Sequence, residues 1–265
     1  MKRNKISVII KRRFDKPGKL FIRIIIDFEI ESIHQFRTEI KKLRAFLRLL
    51  NMQSDRQLKI SKEIKKFYGC IGMIRNLQLQ IKNVNDYLEN SGDQIPATYI
   101  EKLNTEIELC KTDSTKFISA ENFSDNVEKI INRLPINFKK ASIKQFIFKK
   151  LNELKQLVIY IHDDEALHSI RKILKDILYN WSFIKHYHKL LPAGIAEKKN
   201  ILSLTEILGD FCDKKIGLEL LRTYCSGIIE SEENKELQKI IQKWQAEKLN
   251  LKQQIYYYLR LIQFS

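Results

Sequence analysis

Two short sets of residues have the types and spacing for shared chemistry. His34, Arg37, Lys41, Arg44 and Arg48 follow one another at steps of three and four. On a helix they form one continuous stripe. Each comes directly after an apolar residue, from Ile33 and Phe36 to Leu47, so the stripe borders a buried face and can line a cleft between packed elements. A second set, His168, Arg171 and Lys175, repeats the first three members 134 residues later (34 to 168). Such residues hold anions. Arg offers a planar fork to two phosphate oxygens, Lys a point charge, and His a donor whose charged form an anion favours. Two stripes facing each other would make a groove with cationic walls and few carboxylates, suited to a repeating anion and sensitive to salt.

The elements that carry these residues are readable from the apolar pattern. Ile33, Phe36, Ile40, Leu43, Leu47 and Leu50 mark one helix face, and Leu167, Ile170, Leu174, Ile177, Trp181 and Ile184 mark another at the same offset. Asp27, Glu29, Glu31 and Ser32 precede the first, and Asp163, Asp164 and Glu165 the second, as expected near helix N-termini. Between Ile33–Leu50 and Leu167–Ile184 only His34/His168, Arg37/Arg171 and Lys41/Lys175 are identical. That pattern reads as an internal duplication that keeps its polar residues for one task. Each copy is followed by a periodic stretch holding a glycine, at 71–81 and 204–221, and such a glycine marks close packing or a bend. A helical stretch is expected at about 57–68, loops around Ser91-Gly92-Asp93 and Pro96, and a break at Arg133-Leu134-Pro135. A new helix is expected at about 136–161. One long closing helix is expected over 232–264, with Leu237, Ile240, Ile241, Trp244, Leu249 and Ile255 inward. The Ile-rich run 20–30 is too short and too charged to cross a membrane and is read as core, as helix or as a short strand.

Composition agrees with an all-α chain. The 265 residues are 44% hydrophobic, enough for a sizeable core, and only 8 Gly and 4 Pro punctuate them. The net charge of +16 calls for an anionic partner: nucleic acid, an anionic membrane or a phosphate polymer. The excess is concentrated, since residues 1–66 hold 19 Lys+Arg against 7 Asp+Glu, a net of +12. Four scattered cysteines without a CxxC suggest neither disulfides nor zinc, and reduced thiols in a cytoplasmic protein are expected.

At these residues the sequence resembles the CHAD (conserved histidine α-helical domain) family. The first signature is His34-Gln35-Phe36-Arg37 followed by Lys41, Lys42 and Arg44. The second is similar in His168, Arg171, Lys175 and Tyr179. Ile71-Gly72-Met73-Ile74-Arg75-Asn76 resembles the family's Leu-Gly…Arg-Asp element, with Asn76 where Asp is usual, and Leu208-Gly209-Asp210-Phe211-Cys212-Asp213 resembles its second copy. The resemblance spans about residues 20–225. It implies two four-helix bundles related by a pseudo-two-fold axis, residues 1–138 and 139–265, together one domain. A central basic channel between them would bind inorganic polyphosphate without catalysis, cofactor or metal, with an association to polyphosphate granules. The ligand contacts it implies are His34, Arg37, Lys41, Arg44, Arg75, His168, Arg171 and Lys175, then Arg48 and Lys42, the latter turned away from the stripe. Leu178 stands opposite Arg44, where the family often has Arg, and Asp176 stands opposite Lys42, so the second half should bind more weakly.

Other classes fit less well. There is no P-loop, no HExxH and no paired-carboxylate metal motif, and His186 and His188, two apart, diverge on a helix. Nucleic-acid binding shares the electrostatics and is the alternative, although no known nucleic-acid module is present. A histidine phosphotransfer protein is a further alternative. Its histidine normally precedes Lys-Gly, whereas Gln35-Phe36-Arg37 follows here.

Overall fold

The computed structural model describes residues 1–92, 94–116, 118–227 and 232–264, and among them it is all-helical. Ten α-helices follow in order: α1 Arg3–Asp27, α2 Ile30–Leu50, α3 Lys62–Ser91, α4 Ala97–Thr115, α5 Glu121–Ile131, α6 Lys140–Val158, α7 Asp164–Tyr179, α8 Trp181–Ile184, α9 Lys198–Cys225 and α10 Glu232–Arg260. Helices α1–α5 pack on one another, as do α6–α10. The two groups meet where α2 lies against α6 and α7 and where α3 crosses α9. No helix among the described residues is long and apolar enough to cross a membrane.

The run 20–30 is not a strand. It forms the end of α1, with Leu20, Phe21 and Ile24 buried and Ile22 and Ile26 exposed. Phe28 then takes a left-handed conformation (φ 52°), and its N–H closes the helix on the Ile24 carbonyl at 2.8 Å. Glu29 restarts the chain as the N-cap of α2, accepting from the Ser32 N–H at 3.0 Å and from its hydroxyl at 2.6 Å. All six expected apolar positions of α2 are buried. Phe21, Phe36, Phe67 and Phe123, one each from α1, α2, α3 and α5, meet mostly edge to face, with centroids 5.1–6.2 Å apart. This cluster pins the orientation of the stripe on α2.

Two expected helices differ in extent. Residues 57–61 are irregular rather than helical: the Asn51 side chain bonds both backbone groups of Leu58, and the Ser61 hydroxyl caps a helix that starts at Lys62. From there α3 runs unbroken through Gly69 and Gly72 to Ser91, where Gly92 (φ 72°) ends it. The second duplicated helix stops at Tyr179. Asn180 breaks it and donates to the carbonyls of Ala45 (3.0 Å) and Asp176 (2.9 Å), tying the break to α2. The expected loop at 91–96 is present, apart from Asp93, which lies outside the described residues. In α10, Leu249 is 56% exposed rather than inward, while the other five expected positions are buried. Lys248 and Lys252 of α10 instead clamp Asp164 at the start of α7. Where α3 crosses α9, Gly217 leaves room that a Cβ would fill at 2.8 Å from Gln80 and 3.0 Å from Trp244.

Candidate functional site

Because α2 and α7 touch, their stripes converge. They border one open cavity of about 920 Å³, to which α3 adds Tyr68, α6 adds Lys150 and Glu153, and the turn after α6 adds Tyr160. Seven of the ten expected residues line it: Arg37, Lys41, Arg44 and Arg48 from α2, and His168, Arg171 and Lys175 from α7. His34 and Lys42 do not. They line a smaller groove on the α1 side of α2, and Lys42 is paired with Glu39 at 2.8 Å. His34 nonetheless lies close enough to Lys41 and Arg75 for their charges to depress its pKa, after burial.

Arg37 is seated by a glycine. Its guanidinium donates to the Tyr68 carbonyl at 2.7 Å, sits 4.3 Å from the centroid of the Tyr68 ring, and lies so close to Gly72 that a Cβ there would collide with Nη1. The close approach to a glycine recurs in the second half, where a Cβ on Gly209 would lie 3.2 Å from the Arg171 guanidinium. The glycines expected to mark close packing thus make room for the duplicated arginines. Counting 137 residues on from Gly72, Arg75 and Asn76 leads to Gly209, Cys212 and Asp213. The second half therefore carries a thiol where the first carries a cation. Cys212 Sγ lies 3.5 Å from His168 Nδ1, and burial pushes the thiol up.

The electrostatics are those of a crowded cationic cluster. Lys41 is pushed down to about 8, first by burial and then by the charges of Arg37, Arg171 and Arg75, against a partial offset from Asp213. Arg37, Lys175, His34 and His168 are all lowered, with burial as the first cause in each. The Nε atoms of Arg75 and Arg171 are buried with no hydrogen-bond partner among the described residues. These are donors of the kind an anion satisfies. Arg75 comes to this cluster from α3 and lies near Lys41 and His34, although it is not on the cavity wall.

The cavity also holds more acid than the sequence suggested. Arg48 donates through Nε to Asp176 at 2.8 Å and through Nη2 to its other oxygen. Lys150 lies 3.3 Å from the same carboxylate and 2.7 Å from Glu153. Arg48 thus reaches the cavity already partnered. On α9, burial and the neighbouring Asp213 and Glu206 hold the Asp210 carboxyl above its ordinary value. Lys150 and Tyr68 were missed at the sequence level. Lys150 left a trace, because it occupies the buried register of α6 with Ile143, Phe146, Ile147 and Leu154, where a lysine needs a carboxylate.

Known proteins agree on fold and family. The structure of PptA from Streptomyces chartreusis superposes with a TM-score of 0.69 at 11% identity, covering 97% of this chain and 98% of that one. The crystal structure of the CHAD domain from the plant Ricinus communis superposes at 0.66 and 14% identity, covering 98% and 92%. At such identities the likeness is one of fold. No curated protein matches the sequence significantly. The CHAD domain profile matches residues 20–222, the stretch that holds both arginine–glycine seats and the whole cation cluster, and the chain belongs to the CHAD family.

Proposed function

We propose that the chain binds inorganic polyphosphate in the cavity between α2 and α7 and performs no catalysis. The observation that carries this reading is the cluster of Arg37, Lys41, Arg75 and Arg171. Its mutual repulsion and burial hold Lys41 near 8, and it keeps two buried guanidinium donors without partners. A chain of phosphates supplies many closely spaced anions at once and relieves both penalties. Arg37, Lys41, Arg44, Arg171 and Lys175 on the cavity wall are the direct contacts in this reading, Arg75 adds its unpartnered Nε from beside them, and His34 and His168 are donors at the ends of the stripes. The second half contributes less, because Cys212, Leu178 and Asp176 stand where further cations would be. Binding of this kind would also recruit the chain to polyphosphate granules.

Nucleic acid shares the charge argument, but the aromatic faces here are largely occupied. Arg37 and Arg44 lie over the Tyr68 ring at 4.3 and 5.8 Å, and Lys175 over Tyr179 at 6.0 Å. Tyr160 at the cavity is exposed and open to a base. Competition separates the two. Labelled long-chain polyphosphate should bind at near-physiological salt and resist displacement by single-stranded RNA of equal charge. Easy displacement by RNA, or no binding at all, overturns the reading.

The pH dependence has a definite sign. An anion beside Lys41 restores its proton, so complex formation takes up protons around pH 8, and affinity falls as pH rises through about 8. The two histidines are lowered from 6.5, so affinity rises again only as pH falls below that value. Titrations on both sides of pH 8 at fixed ionic strength check this. A flat profile there would remove Lys41 from the site.

A further inference from the structure

On the opposite side of α2 from the cavity, α1 and α2 enclose a second groove of about 470 Å³. Lys16, Lys19 and Arg23 line it from α1, and His34 and Lys42 from α2. The steps 16, 19, 23 place the three α1 cations on one face of the helix. The carboxylates present are already shared. Glu39 lies 2.8 Å from Lys42 and 3.9 Å from Lys16, Glu31 accepts from Gln35 at 3.0 Å, and Lys19 leans back to Asp15 at 2.9 Å. Among the described residues Arg23 ion-pairs with no carboxylate. The exposed Lys19–Asp15 pair contributes little and gives way to a multivalent anion, and Lys16, itself exposed, reaches Glu39 only at the 3.9 Å limit of an ion pair.

His34 joins the groove to the cavity. It lines the groove, the charges of Lys41 and Arg75 reach its ring, and Arg37, one turn further along α2, faces the cavity. A polyanion leaving the cavity past the start of α2 therefore meets cations on both sides of His34. Lys16 and Lys19 also precede residue 20, where the family match begins, so the match assigns them nothing.

We propose that this groove is a second subsite for inorganic polyphosphate, which carries the phosphates of a long chain out of the cavity, past His34 and onto Lys16, Lys19 and Arg23. The inference rests on the polyphosphate reading above and adds a chain-length preference to it. It also gives a use to the basic excess of residues 1–66.

The test compares the wild type with the triple variant Lys16→Gln/Lys19→Gln/Arg23→Gln, using long-chain polyphosphate and tripolyphosphate as ligands. Long-chain affinity should fall about tenfold or more. Its dependence on salt should become shallower by roughly two to three charges, while tripolyphosphate binding stays unchanged and reports an intact cavity. Long-chain affinity within about twofold of wild type, or equal weakening of both ligands, overturns the groove but leaves the cavity reading standing. A wild type that binds neither ligand overturns both.

Discussion

Replacing Arg37 and Arg75 together with Ala should lower polyphosphate affinity about a hundredfold, with the fold retained. Each charge-assisted hydrogen bond contributes roughly 1.5–3 kcal/mol, and about 1.4 kcal/mol is tenfold in affinity, so two guanidinium groups account for about two decades. The protein should tolerate the loss. Burial disfavours the charged form of Arg37, and Arg75 keeps a buried donor unsatisfied, so both side chains cost stability in the free protein. Gly72→Ala provides a control that removes no charge. Its new methyl must push the Arg37 guanidinium off its seat on the Tyr68 carbonyl, so affinity should drop severalfold, with a loss of melting temperature no larger than one hydrogen bond accounts for. Fluorescence anisotropy with a labelled polymer, with thermal melts in parallel, measures both quantities. Wild-type affinity in the double variant would exclude the cluster as the site.

Asp176→Ala should have the opposite pattern, with stability lost and binding gained. The Asp176 and Lys150 side chains are only 6% and 10% exposed; removing one partner of a buried pair costs about 3–5 kcal/mol, and the bond from Lys150 to Glu153 keeps the loss at the lower end. Arg48, 42% exposed, can turn to water and adds little. A loss of about 3 kcal/mol lowers the melting temperature of a protein this size by roughly 6–12 °C. Arg48 would then face the cavity without a counterion, while Lys150 keeps only the half-exposed Glu153. Polyphosphate should raise the melting temperature of the variant more than that of the parent, because its phosphates fill the place of the carboxylate. Lys150→Met should be milder, since it removes the buried cation and leaves Asp176 with Arg48. Differential scanning calorimetry with and without polymer decides the matter. An equal ligand shift in parent and variant would mean that the phosphates never reach Arg48 and Lys150.

The parts legible in the sequence were those set by spacing along one helix. The buried faces of α2 and α7 follow from steps of three and four, and the seats of Arg37 and Arg171 were foreshadowed by the glycines at 72 and 209. What depended on distant partners was not legible. Arg48 belongs to the stripe by its position, yet its guanidinium goes to a carboxylate 128 residues away. His34 follows the same periodicity but stands at the edge where α2 turns from the cavity toward α1. Periodicity also misled where apolar residues are simply exposed. Ile22, Ile25 and Ile26 made the end of α1 resemble a strand, and Leu249 was counted with the inward face of α10 although, five residues after Trp244, it turns away from it.

The recurrence of an arginine seated on a glycine in both halves bears on the direction in which a polymer can lie. An RNA strand differs when read forward and backward, so a site built for it presents different chemistry toward each end. A chain of phosphates has no such polarity and looks the same from either terminus. Walls that repeat Arg37 beside Gly72 as Arg171 beside Gly209 would offer an arginine to such a strand entering from either side. The substitutions that spoil the equivalence, Cys212 against Arg75 and Asp176 against Lys42, do not choose a direction for such a strand. In the proposed reading they would set which half of the protein takes hold of it first.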